Sequence, residues 1–197
     1  ICYSIIIKIL YISTMADSYV IKDQHGIYFL TFQVVAWVDI FTRKRYRDII
    51  VDAFNYCIEN KDLKVHSWCI MSNHVHCILS SSTGKLSDTV RDFKRHTSKM
   101  LIQSIQQEPE SRRVWMLFQF KHAAQQHVRN ENYQIWTHEN HAVGIDGHIT
   151  DMLQSKLNYI HNNPVKEGIV ENAIDYVYSS AGSYVGKKGL VKVDLLV

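Results

Sequence analysis

Residues 67–80 read Ser67-Trp68-Cys69-Ile70-Met71-Ser72-Asn73-His74-Val75-His76-Cys77-Ile78-Leu79-Ser80. Two short apolar runs are joined by a Met-Ser-Asn turn, the pattern of a pair of adjacent antiparallel strands. Successive side chains of a strand point to opposite faces, so His74 and His76 share one face. Val75, Cys77 and Leu79 take the other face and belong to a core. Two imidazoles placed this way can grip one divalent cation, and a strand holds such a pair more rigidly than a loop does.

Working outward, Ile27 to Trp37 alternates and is rich in aromatic and β-branched residues, which predicts a strand. Thr42 has the chemistry of an N-cap for a helix in which Tyr46, Ile49, Ile50, Ala53, Phe54 and Cys57 recur at helical spacing. After the histidine hairpin, Leu86 to Ile105 is an amphipathic helix with Leu86, Val90, Phe93, Met100, Leu101 and Ile105 as its buried stripe. Residues 106–113 form a polar loop, Trp115 to Val128 a further helix, and the segment Ile135–Val143 a last strand. Ile149 to Asn162 is a helix expected to end near Pro164, because the residue before a proline avoids the helical region. The order strand, helix, strand, strand, helix, strand predicts an α+β fold. It is a ferredoxin-like split βαβ antiparallel sheet with helices on one face and a C-terminal tyrosine-bearing helix.

In that last helix Ile149, Leu153, Leu157 and Ile160 form the inward stripe. Lys156, Tyr159 and Asn163 fall on another face, since residues three and four apart are neighbours on a helix. A phenol, an amine and an amide oxygen therefore point in one direction. A tyrosine is a weak nucleophile at neutral pH unless a cation stabilises its phenolate. Lys156 can supply that help, as can a metal on His74 and His76, and Asn163 offers an oxygen of the kind a hard cation accepts.

The bulk composition is ordinary for a globular protein: 197 residues, 46% hydrophobic and 21% charged. A net charge of +3 permits a nucleic-acid partner without demanding one. Ile1 to Leu10 is apolar but broken by Lys8. It is too short for a membrane span and lacks the small-residue cleavage site of a signal peptide. Met15 opens a polar stretch before the first strand, so residues 1–14 are expected to be a non-native or disordered extension and residues 15–197 one domain. Cys2, Cys57, Cys69 and Cys77 contain no CxxC pair and fit reduced thiols in a cytosolic protein.

The His74-Val75-His76 triplet after Met71-Ser72-Asn73 resembles the His-hydrophobic-His (HUH) motif of single-tyrosine transposases. The run Tyr159-Ile160-His161-Asn162-Asn163-Pro164-Val165, followed by Gly168 and Tyr178-Ser179-Ser180, resembles the REP-associated branch of that family. The resemblance spans residues 27–185 with the motifs in the family's order. It implies a cytoplasmic, metal-dependent nickase and strand transferase of single-stranded DNA that recognises hairpins. It further implies that His74 and His76, with Asn163 as third ligand, hold Mg²⁺ or Mn²⁺, and that Tyr159 attacks the scissile phosphate to form a 5′-phosphotyrosine.

Lys156 is assigned beside Tyr159 from helix geometry alone. Candidate DNA contacts are Arg43, Lys44, Arg45 and Arg47 at the start of the first helix, and Arg91, Lys94, Arg95 and Lys99 opposite the apolar stripe of the second. Each such cation that neutralises a phosphate adds salt-dependent affinity. Trp37, Trp115 and Trp136 are candidates for stacking on unpaired bases. Three alternatives stay open: a zinc site drawing on Cys69, Cys77, His138 or His141, a non-catalytic binding module for DNA or RNA hairpins, and a phosphodiesterase that releases product to water. A homodimer exchanging tyrosine helices and a monomer are both compatible with the resemblance.

Overall fold

A computed structural model describes residues 20–126, 132–145 and 150–196. The expected extension at 1–14, and the ends expected at Val128 and Ile149, lie outside them. Four strands, β1 (Ile27–Gln33), β2 (Leu63–Ile70), β3 (His74–Ser81) and β4 (Val143–Ile145), form one antiparallel sheet in the order β2-β3-β1-β4. Helices α1 (Lys44–Asn60), α2 (Leu86–Gln107), α3 (Arg113–Gln125) and α4 (Thr150–Lys166) complete the α+β fold.

Period-2 alternation divides the sheet into two different faces. Leu30 and Phe32 of β1 pair with Cys77 and Val75 of β3, which pair in turn with Trp68 and Ile70 of β2. These side chains meet α1 and α2: Phe54 lies 6.4 Å from Trp68 and 4.7 Å from Phe93, and Phe93 lies 5.6 Å from Phe32. Each large apolar side chain sealed here contributes about 1.5–3 kcal/mol. The opposite face carries Phe29, Thr31, His74, His76 and Ile78, and α4 lies across it with Leu157 and Ile160 buried.

Several boundaries differ from the sequence reading. β1 stops at Gln33 because Ala36 and Trp37 both adopt left-handed backbone, with φ of 52° and 54°. Of the Ile135–Val143 segment only Val143 is strand, as the first residue of β4. Upstream it runs beside β1 irregularly, with one bridge, Val34 to Trp136, and backbone bonds from Thr137 N–H to Gln33 O and from Thr31 N–H to Asn140 O, both at 2.9 Å. Its apolar residues serve the core instead: Trp136 stacks on Phe41 and donates from Nε1 to Thr97 Oγ1 at 3.0 Å. Trp136 is only 4% exposed and cannot stack on a base. Thr97 fills the stripe position expected of Met100, which is half-buried. Thr42 does not cap α1; its hydroxyl donates to the Asp39 carbonyl.

Nor does the last helix stop before Pro164, which lies inside α4. Proline there withholds an N–H only from the Ile160 carbonyl, a loss near the helix end. Termination comes four residues later, where Gly168 takes φ 69°. The Gly168 N–H then bonds Val165 O at 3.0 Å and the Ile169 N–H bonds Pro164 O at 2.8 Å.

Strand β2 carries a bulge. Val65 pairs with Leu79 but Ser67 pairs with Ile78, so His66 is an extra residue. Its free edge is covered by the C-terminal segment: Ser179 bridges Cys69, and the Ser180 N–H bonds the Trp68 carbonyl at 2.9 Å. Covering the edge removes a template for aggregation.

The loop between α2 and α3 buries a carboxylate. Glu110 pairs with Arg43 Nε at 2.8 Å, Arg45 at 3.4 Å and Arg112 at 3.5 Å, and accepts from the Tyr46 hydroxyl at 3.0 Å. Burial opposes its charge, but the Arg112 N–H, Tyr46 and the guanidinium charges outweigh that and hold the carboxyl below its usual range. Glu110→Ala would remove the buried carboxylate shared by Arg43, Arg45, Arg112 and the Tyr46 hydroxyl, leaving Arg112 to Asp39, Arg45 to the Pro109 carbonyl and Arg43 to Ser111. We expect it to cost about 2 kcal/mol, read as a lower urea midpoint. Among the described residues no helix is long and apolar enough to cross a membrane.

Candidate active site

The two histidines open β3, the strand that pairs with both β1 and β2, and their rings turn toward each other. His74 Nε2 and His76 Nε2 are 3.0 Å apart, with ring centroids 4.5 Å apart. The outer nitrogens are engaged elsewhere: His74 Nδ1 with Asn73 Oδ1 at 2.7 Å, and His76 Nδ1 with Thr31 Oγ1 at 2.9 Å. Asn73 Oδ1 can only accept, so His74 Nδ1 carries the proton and Nε2 keeps its lone pair. Thr31 Oγ1 can accept from His76 in the same way. Outer partners of this kind fix the tautomer of a metal-ligating imidazole.

Burial keeps both rings neutral. It lowers the pKa of His74 to about 4 and, with the charges of His74 and Lys156 adding to it, that of His76 to about 3. With His76 protonated at Nδ1 both Nε2 lone pairs converge on a space that suits a cation; with His76 protonated at Nε2 it donates instead to His74 Nε2 at 3.0 Å. In the first form the pair fits a divalent cation.

Helix α4 brings the tyrosine over this pair. Ile160 points into the sheet, and Tyr159 projects from one flank with its ring 5.1 Å from His76 and 5.9 Å from Phe29. Phe29 also stacks on His76 at 5.6 Å, so it is a common wall. Tyr159 is 41% exposed, open enough for a large substrate to reach its hydroxyl. Lys156 Nζ sits 4.7 Å above the Phe29 ring, and Lys166 Nζ 5.6 Å from the Tyr159 ring. Asn163 lies one turn beyond Tyr159, its Nδ2 donating to the Tyr159 carbonyl at 2.6 Å. That bond leaves the amide oxygen for a cation.

The structure thus gathers His74, His76 and Tyr159 and, through Phe29, Lys156. Asn163 joins them only through its bond to the Tyr159 backbone. Phe29, Thr31 and Lys166 were missed in the sequence. Lys166 was within reach of the periodicity, lying seven residues beyond Tyr159. Phe29 and Thr31 required the β1–β3 register.

The cysteines do not complete a zinc site. Cys69 pairs with His76 across the strands but is fully buried, and burial pushes its thiol up to about 12. Cys77 lies on the other face, against the Leu30 carbonyl. Among the described residues no three His, Cys, Asp or Glu side chains form a metal-binding group.

The basic residues lie in several settings. Arg43 and Arg45 pair with Glu110, Lys44 with Asp48 at 2.7 Å, and Arg47 covers the Tyr178 ring at 4.2 Å. Arg91 pairs with Asp88 at 2.6 Å. Lys94 turns inward, donating to Thr137 O at 2.8 Å and Asn140 Oδ1 at 2.6 Å, and burial lowers its pKa to about 8. Arg95 and Lys99 are exposed, and Arg91, Lys94 and Arg95 line a groove of about 490 Å³ between α2 and residues 133–140. Trp37 and Trp115 are 68% and 46% exposed.

A histidine pair on a central strand, beneath a helix-borne tyrosine, is the arrangement the sequence resemblance implies. Residues 28–163 match the model of the IS200-like transposase family, and the chain belongs to that family. A solved REP-associated tyrosine transposase bound to a REP hairpin is similar in structure. Its TM-score is 0.55 at 18% identity, over 91% of this chain and 92% of that one, a likeness that carries the fold. A comparison with curated proteins gave no match.

Proposed function

We propose that this chain cuts single-stranded DNA beside a hairpin and transfers the strand through a covalent bond to Tyr159. The observation that carries the reading is the contact of the Tyr159 ring with His76, whose Nε2 faces that of His74. His74, His76 and Asn163 would hold a Mg²⁺ or Mn²⁺ ion, which when bound would supply Lewis-acid polarisation of the scissile phosphate. Everything else falls to the chain's own groups.

Tyr159 Oη bonds to phosphorus and gives up its proton as the bond from phosphorus to the 3′-oxygen breaks. The departing 3′-oxygen takes a proton to become a free hydroxyl, and the 5′-phosphate stays on the tyrosine. Lys166 lies over the Tyr159 ring and Lys156 over the neighbouring Phe29 ring, both placed to offset the negative charge that develops as the tyrosine attacks. No water is consumed at phosphorus, so the 3′-hydroxyl of a second strand can reverse the step and complete transfer. Because Tyr159 and His76 meet within one chain, the reading needs no second copy. Hairpin DNA is the proposed partner, met through the exposed cations of α2 and through Trp37, whose carbonyl accepts from Asn73 Nδ2 at 3.5 Å.

The test is a hairpin oligonucleotide with single-stranded flanks, labelled at either end and incubated with Mn²⁺ or EDTA. We expect the 3′-labelled fragment, which bears the new 5′-phosphate, to migrate with the protein, and the 5′-labelled fragment to run free. Free fragments from both labels would mean hydrolysis, and tight binding with no cleavage would mean a binding module. Either result overturns the proposal.

A further inference from the structure

A second set of contacts anchors the far flank of the helix that carries Tyr159. Residues of an α-helix are about 100° apart, so with Ile160 facing the sheet, Tyr159 and His161 leave α4 on opposite sides. His161 Nε2 lies 2.9 Å from Ser180 Oγ and 3.2 Å from Ser67 Oγ, and the two hydroxyls are 3.1 Å apart. The His161 ring also packs edge-on against Tyr184 at 5.0 Å, and the Tyr184 hydroxyl donates to the His66 carbonyl at 2.9 Å. Three elements distant in sequence meet at one imidazole: β2, α4 and the C-terminal segment.

The β2 bulge makes this contact available. On an unbroken strand Val65, Ser67 and Cys69 would share one face. Here Val65 pairs with Leu79 on the face covered by α1 and α2, while Ser67 pairs with Ile78 on the face under α4. Inserting one residue reverses the facing of everything beyond it. Bulges recur beside active sites, where they re-aim a side chain. The inserted His66 is fixed through Nδ1 to the Asp194 carbonyl at 2.7 Å and through Nε2 to Ser80 Oγ at 2.8 Å. Ser180 is as firmly placed, accepting the Trp68 N–H on its Oγ at 3.0 Å.

We propose that His161, Ser67 and Ser180 form a latch that sets the rotation of α4 and so fixes Tyr159 over His74 and His76. His161 is a positioning residue in this scheme: it acts through the helix and touches neither the histidine pair nor DNA. A small misplacement of a reacting group costs about 100-fold in rate. The inference rests on the function proposed above, so its test includes a measurement that needs no cleavage.

The experiment compares wild type, His161→Ala, His161→Gln and Ser67→Ala in the full chain. With saturating hairpin oligonucleotide and Mn²⁺, His161→Ala should form adduct ten- to 100-fold more slowly than wild type, with hairpin affinity within twofold. His161→Gln, which restores a hydrogen-bonding group, should recover most of the rate. Without DNA, amide hydrogens of residues 157–163 should exchange at least tenfold faster in His161→Ala, while β1 and β3 keep wild-type protection. Should His161→Ala fail to fold, Ser67→Ala carries the same expectations at smaller amplitude. An unchanged adduct rate and unchanged exchange in α4 would overturn the latch. Wild type that makes no adduct, but whose α4 loosens in the variants, would overturn the proposed chemistry and leave the latch standing.

Discussion

His76→Ala is expected to abolish metal binding and to slow DNA cleavage by about 1000-fold or more, while hairpin binding in EDTA stays at the wild-type level. His76 contributes one of the two nitrogens that face each other at 3.0 Å, and the remaining imidazole cannot hold the ion in the same geometry alone. Loss of Lewis-acid stabilisation worth about 4 kcal/mol corresponds to that factor. The candidate DNA-contacting cations of α1 and α2 lie on elements packed against the other face of the sheet, so affinity for the hairpin should not follow the metal. Titration calorimetry with Mn²⁺ reads the first effect directly. A parallel melting experiment should show Mn²⁺ stabilising wild type by about 2.7 kcal/mol at 100 times its dissociation constant, and leaving the variant unmoved. Wild-type Mn²⁺ affinity in His76→Ala would remove the histidine pair from the metal site.

The second large effect is acid destabilisation of the metal-free protein. Burial places the folded pKa of His74 near 4, that of His76 near 3 and that of His161 near 4, against about 6.5 for an unfolded histidine. Above pH 6.5 neither the folded nor the unfolded state binds these protons, and stability does not depend on them. Below 6.5 the unfolded chain takes them up and the folded one refuses, so folding weakens as pH falls through the window from 6.5 to 4. Each histidine contributes up to about 1.4 kcal/mol per pH unit. Together they remove about 6 kcal/mol by pH 5, comparable with the lower part of the about 5–15 kcal/mol that stabilises a domain. Urea midpoints in EDTA at pH 7, 6 and 5 should drop steadily, and saturating Mn²⁺ should flatten the decline. A midpoint that is level from pH 7 to 5 would contradict the buried neutral pair.

The central hairpin and the helix tyrosine were legible because each rests on a short-range rule. Strand alternation puts His74 and His76 on one face, and the helical repeat puts Lys156, Tyr159 and Asn163 on one flank. What escaped the sequence depends on partners far along the chain. Thr31 and Phe29 become part of the site only through pairing with β3, and Ser67 reaches His161 only because His66 is bulged out of β2. The apolar run from Ile135 looks like a strand, but it keeps only one bridge to the end of β1, and the Trp136 side chain turns to Thr97 and Phe41 in the core. Lys94 lies within a basic stripe, yet its long side chain turns inward to Thr137 and Asn140, a direction that periodicity does not encode. Pro164 reads as a stop signal, and the helix passes it because only the Ile160 carbonyl is deprived so close to its end.

The most direct test of the central claim is a comparison of wild type and Tyr159→Phe on a 3′-labelled hairpin oligonucleotide with Mn²⁺, resolved on a denaturing gel. Phenylalanine keeps the ring against Phe29 and His76 and removes only the hydroxyl, so fold, metal and DNA binding should persist. The account predicts a protein–DNA adduct with wild type, none with EDTA and none with Tyr159→Phe. An adduct of undiminished intensity in Tyr159→Phe would contradict it and place the nucleophile elsewhere.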